Sequence, residues 1–209
     1  MSTSRVEAFS DGVFAIAITL LILEIRVPEV EEGELWRALR DLWPSYAAFG
    51  VSFLVIGIVW VNHHAIWEHV VAVDRPLLFV NLALLGAVAF LPFPTALLAT
   101  YIQAGDDAHV AAAFYSGAMA AIGITFAAMW NYSARTPQLL HRRVDPRQTA
   151  LVRTRSLIGP VAYGVLIAMA FVSAPLTLAL HGVLALFYAM SGTRWLLVDE
   201  DSEELSPVR

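Results

Sequence analysis

The sequence predicts an all-α integral membrane protein with six transmembrane helices per subunit, and three observations carry that prediction. Apolar residues make up 58% of the 209 positions and charged residues only 15%, against roughly 45–50% and about 25% in soluble chains. Mean hydropathy is +0.66. The apolar residues also gather into long stretches, most of them separated by acidic or Arg-bearing segments. A soluble fold has no interior large enough for this much Ala, Leu, Val and Ile, so lipid is the expected solvent for most of the chain. With no Cys and a net charge of −5, disulfide scaffolds, thiolate metal sites, Cys nucleophiles and basic nucleic-acid binders are excluded.

A bilayer core about 30 Å thick needs about 20 mostly apolar residues at 1.5 Å per residue. Residues 6–25, 44–67, 77–102, 109–131, 157–174 and 175–198 qualify. In the first stretch no charge occurs from Val13 to Leu23, but that run rises only about 17 Å. The spanning helix must therefore begin near Phe9 or earlier, which places Ser10 and Asp11 at membrane depth. It is not expected to be a cleaved leader, since it carries Asp11 and lacks a small-residue cleavage site. The second stretch carries Trp60, Asn62, His63 and His64 toward one end, and the third carries Asn81 just inside Arg75. The last two stretches abut at Ser173-Ala174-Pro175, which requires a tight turn.

Six crossings put both termini on one side. That side holds Arg5, Arg75, Arg135, Arg142, Arg143, Arg147, Arg153, Arg155, Arg194 and Arg209. The other side holds only Arg26, Arg37 and Arg40. This bias makes the side of the termini the cytoplasm. Residues 1–198 read as one membrane domain. Residues 199–209, with Asp199, Glu200, Asp201, Glu203 and Glu204, read as a solvated acidic cytoplasmic tail. The outer segment 26–43 is acidic at its start and helical toward its end, and acidic groups beside a cation path would concentrate cations.

At about 100° per residue, Phe9, Gly12, Ile16, Thr19, Leu20 and Leu23 fall along one stripe of the first helix. Asp11, Ala15, Ile18 and Ile22 fall on another face, with Asp11 about 140° from Ile16. A carboxylate at the centre of a span costs about 2.5–3.5 kcal/mol, less near an end, so Asp11 needs partners. Asn62, His63 and Asn81 lie at its depth, about 8–9 Å inside the flanking charges. Asp11, Trp60, Asn62, His63 and Asn81 thus form one candidate polar bracket, in which indole, imidazole and amide groups donate to the carboxylate.

The run Arg5-x-x-x-Phe9-Ser10-Asp11, followed by Gly-Val-Phe-Ala-Ile16-Ala-Ile-Thr19-Leu20, resembles the first helix of the transmembrane protein 175 family. That family comprises the lysosomal and endosomal potassium channel of animals and its bacterial relatives. The segment Trp60-Val-Asn62-His63-His64 carries a weaker likeness. The resemblance implies a potassium channel of the bacterial plasma (inner) membrane, built as a homotetramer whose central pore is lined by the first helix of each subunit. It places the hydrophobic constriction on Ile16, further narrow rings on Leu20 and Leu23, and a selectivity role on Thr19. It implies no cofactor and no bound metal, permeant potassium ions, and further copies of the chain and membrane lipid as partners, with no nucleic acid. No Thr-Val-Gly-Tyr-Gly carbonyl filter occurs in the sequence, so potassium preference requires another source of oxygens.

Two other classes stay open at this point, besides a purely structural or assembly protein that would show no flux at all. Intramembrane acids and imidazoles serve proton-coupled or proton-conducting transporters, and Asp11, His63 and His64 supply such groups. A metal or acid–base enzyme site is poorly served, because adjacent histidines point about 100° apart on a helix.

Overall fold

The computed structural model describes residues 2–140 and 158–191, and these are helical almost throughout. In chain order they form α1 (Thr3–Leu20), continued by a 3-10 turn over Leu21–Glu24, then α2 (Leu35–Asp41) and α3 (Trp43–Trp67). Next come α4 (Arg75–Phe90), α5 (Pro92–Tyr101), α6 (Asp106–Arg135) and a 3-10 turn over Pro137–Leu139. The last described elements are α7 (Ile158–Ala170) and α8 (Ala174–Ser191).

Four segments are long and apolar enough to cross a bilayer: Thr3–Glu24, Trp43–Trp67, Arg75–Tyr101 and Asp106–Arg135. Val161–Ala170 and Ala174–Met190 are shorter apolar helices. The third span differs from a single expected helix, since it is broken between α4 and α5 at Leu91. Pro92 has no N–H to give the carbonyl one turn back, and its ring crowds that carbonyl. The Val88 carbonyl instead takes the Leu91 N–H at 3.1 Å, and the Thr95 hydroxyl donates to the Leu91 carbonyl at 2.8 Å. The turn between the last two helices lies at residues 171–173, so Ala174 opens α8 rather than closing α7. The acidic tail, Arg194, Arg209 and the Arg-rich segment from Arg142 to Arg155 lie outside the described residues.

Local chemistry explains several helix ends. Asp74 caps α4 by accepting the Leu77 N–H at 2.9 Å, with Pro76 in the first turn. Gly105, at φ +61°, supplies the left-handed entry to α6 that a Cβ would disfavour. Asp106 and Asp107 at the head of α6 and Arg135 in its last turn complement the helix dipole.

Helix α3 packs against α1, α5 and α8, while α6 packs against α4, α5 and α7. On α6 the buried face includes Ala108, Ala111, Ala112, Ser116 and Ala118, and small residues let helices approach closely in lipid. At the centre the hydroxyls have a fixed direction. The Thr95 proton is committed to the Leu91 carbonyl, so Ser52 donates to Thr95 at 2.8 Å, and Tyr115 donates to Ser52 at 2.9 Å. This chain ties α3, α5 and α6 together through groups that are all buried. The Tyr115 ring meets the His181 ring edge-on at 5.2 Å, which brings in α8.

Candidate functional site

Helix α1 has two contrasting sides. Its packed spine is Val6, Ser10, Phe14, Ala17 and, in the turn that follows, Leu21, all buried. Opposite lie Phe9, Gly12, Ile16, Thr19, Leu20 and Leu23, all exposed in the single chain, with Ile16 at 62% and Leu23 at 71%. The second face given by helical period (Asp11, Ala15, Ile18, Ile22) is not the packed one. Ala15 and Ile22 are exposed, and Asp11 and Ile18 are half-buried. The reason is volume: Phe14 and Leu21 fill the interior, which a carboxylate at position 11 can only border.

Thr19 sits within the exposed stripe, and its single hydroxyl proton is shared between the Ala15 and Ile16 carbonyls, each at 2.9 Å. The oxygen lone pairs therefore face outward, a disposition that accepts from donors or coordinates a cation. Arg5, at the N-terminal end of the helix, is exposed.

The polar residues of α1, α3 and α4 form two anchors rather than one bracket. Asp11 Oδ1 accepts the Trp60 indole N–H at 2.9 Å. Separately, Asn81 Nδ2 donates to Ser10 Oγ at 3.0 Å, and Ser10 passes its own proton to the Val6 carbonyl at 2.8 Å. Asn81 Oδ1 lies 2.9 Å from His63 Nε2, and the Trp67 indole N–H points at that same nitrogen from 2.8 Å. One ring nitrogen cannot serve both neighbours at once. With its proton on Nε2, His63 donates to Asn81; with the proton on Nδ1, Nε2 accepts from Trp67. The Phe14 ring covers His63 from α1 at 5.2 Å.

Imidazole and amide therefore secure Ser10, and the carboxylate takes only the indole. Asn62 is half-buried and joins neither bond set among the described residues. Trp67 and Phe14 were not singled out by sequence reasoning, although Trp67 stands one helical turn beyond His63 on the same face. Glu7 was missed as well: its Oε1 lies 2.8 Å from His64 Nδ1. Among the described residues no cluster of three or more His, Cys, Asp or Glu side chains could hold a metal ion.

The Asp11 anchor yields a first expectation. Asp11→Asn keeps an oxygen for the Trp60 N–H, whereas Asp11→Ala leaves the indole without an acceptor. In detergent-purified protein the Ala variant is expected to be less stable than the Asn variant by roughly 1 kcal/mol, read as a lower thermal midpoint. Equal midpoints would show that the indole bond does not hold the helix.

Residues 5–92 match the model of the family described as endosomal/lysosomal potassium channel TMEM175. A protein of Streptomyces collinus named as a potassium channel is 54% identical over 190 residues, covering 90% of this chain and 92% of the relative. The crystal structure of a lysosomal potassium-selective channel TMEM175 homologue from Chamaesiphon minutus superposes with a TM-score of 0.81 at 43% identity. That match covers 90% of this chain and 97% of the other. A Gallus gallus relative, named as an endosomal/lysosomal proton channel TMEM175, is 33% identical over 152 residues, covering 68% of this chain and 29% of that longer protein. Motif, helical architecture and full-length likeness agree, and the chain belongs to the transmembrane protein 175 family as an integral membrane protein.

Proposed function

We propose that this protein is a potassium-permeable cation channel of the bacterial plasma (inner) membrane, a homotetramer in which four copies of α1 surround a central pore. The observation that carries this reading is the aliphatic stripe of α1. Its own subunit leaves that stripe bare, yet the stripe is interrupted by a threonine oxygen turned outward. Beside Leu20 and Leu23 runs a largely apolar groove lined by Ala89, Phe90, Pro92, Phe93 and Ala96, with Glu24 as its one charged residue, a surface suited to a neighbouring copy. The relatives named as potassium channels match along nearly their whole length.

In this reading the chain crosses the bilayer six times, with α7 and α8 contributing the last two spans and both termini cytoplasmic. The Arg distribution supports that orientation. Ile16 forms the tightest ring, with Leu20 and Leu23 adding apolar rings toward the outside. Such a ring closes a pore by dewetting, because an ion cannot exchange its hydration shell for methyl groups. Tilt or rotation of α1 widens the rings, and Thr19 then supplies oxygens as the shell is partly stripped. Few fixed oxygens imply modest selectivity. The Asp11–Trp60 and Ser10–Asn81–His63 anchors hold the back of α1 so that the stripe faces the axis. The exposed Glu29, Glu31, Glu32 and Glu34 would concentrate cations at the outer mouth.

A proton relay through Asp11, His63 and His64 is less well supported. Asp11 is bonded to an indole, which donates its proton but does not accept one. Purified protein in planar bilayers separates the two readings. The expected result is a current at symmetric pH that reverses toward the potassium equilibrium potential when potassium faces sodium. Flux that requires a proton gradient, or no current, would overturn the channel assignment.

A further inference from the structure

Glu7 and Asp11 stand one turn apart on α1, and Trp60 and His64 stand one turn apart on α3. They meet as two rungs between antiparallel helices: Asp11 with Trp60 at 2.9 Å, and Glu7 with His64 Nδ1 at 2.8 Å. The Trp60 and His64 rings lie nearly parallel, 23° apart with centroids at 6.4 Å. The other ring nitrogen of His64 lies 3.7 Å from Glu68 Oε1. The imidazole is thus flanked by a carboxylate at each nitrogen and lies in the last turn of α3, where a positive charge complements the helix dipole.

We propose that Glu7 and His64 are positioning residues for the pore helix, and that protons on the N-terminal side of the membrane set how firmly this second rung holds α1 against α3. The inference rests on the reading of α1 as pore-lining. The neutral imidazole, with its proton on Nδ1, donates one hydrogen bond to Glu7. The imidazolium keeps the Glu7 hydrogen bond in charge-assisted form and adds an ion pair with Glu68 across 3.7 Å. In the first rung the donor is an indole, whose N–H gains no charge. The charged and titratable groups beside His64 among the described residues are Glu7 and Asp11 from α1, and His63 and Glu68 from its own helix. Arg5 lies about 200° round α1 from Glu7, and Asp74 at the head of α4 is committed to Leu77 and Tyr132.

Opening by tilt of α1 works against the rung, so acid on the N-terminal side should hold the pore closed. Because the pair is partly exposed, the change on acidification should be only about two- to five-fold in open probability. Oriented bilayer recordings test this, with pH varied on one side at a time. In the parent protein, potassium current should fall on acidifying the N-terminal side. His64→Gln keeps a donor but cannot titrate, and it should flatten that response. Glu7→Gln should flatten it comparably, and the double variant should add little beyond either single change. Ile16→Asn, recorded alongside, separates the two ideas. If it and Leu23→Asn both leave current unchanged, the pore reading fails. If Ile16→Asn raises current while His64→Gln retains the parent's pH response, the pore reading stands and the proton-sensitive rung is overturned. A rise in parent current on acidification overturns it too.

Discussion

Replacing Ile16 by Asn is expected to raise potassium current by on the order of tenfold or more, since each 1.4 kcal/mol or so taken from a barrier is worth that factor. The parent side chain presents branched methyl groups, which offer an ion nothing in exchange for its water. In the proposed tetrameric pore, four amide groups at the same level would hydrate the constriction and lower the cost of passage. Ile16 is exposed in the single chain and contributes nothing to the subunit's own core, so the substitution should leave each protomer folded. Bilayer recordings of the variant against the parent, with the oligomer checked by size, give the readout. If neither Ile16→Asn nor Leu23→Asn alters conduction, the stripe does not line the ion path.

Replacing Asn81 by Leu is expected to have the largest effect on stability, about 2–4 kcal/mol. The lost hydrogen bonds account for the smaller part, because interhelical bonds in bilayers contribute only roughly 0.6 kcal/mol on average. The larger part comes from what is left behind. Ser10 and His63 are each 0% exposed, and the leucine would face both with no polar group. Ser10→Ala removes only the hydroxyl partner, so it should cost less. The double variant should cost less than the sum of the two, since Ser10 and Asn81 share one bond. Unfolding of the detergent-purified protein by heat or denaturant measures this. Additive losses would mean that the two residues act separately and that the Ser10–Asn81 link does not position α1.

Much of the molecule was legible in its residues. Long apolar runs specify membrane helices, because in lipid the backbone can satisfy its polar groups only within a helix. The stripe from Phe9 to Leu23 was readable from period alone, since helical geometry places those side chains together whatever surrounds them. The break at Leu91 was equally written in Pro92 and Pro94 but was outweighed by the continuity of the apolar run.

Which polar group meets which could not be read in the same way. Position along a helix gave Asp11, Trp60, His63 and Asn81 a common depth, and depth is one coordinate of three. The remaining two, the rotation of each helix and its distance from its neighbours, come from packing. Burying Phe14 and Leu21 turns Ser10 toward Asn81 and leaves Asp11 at the rim, beside Trp60. The same rotation brings Glu7 onto His64, two residues whose sequence separation carries no hint of contact. The sequence by itself determined the membrane class, the helices and the pore-stripe candidates, because these depend on local period and on transfer from water to lipid. The tertiary structure alone decided the pairing of polar side chains, because hydrogen bonds require ångström-scale placement that only the packed volumes of several helices together can set.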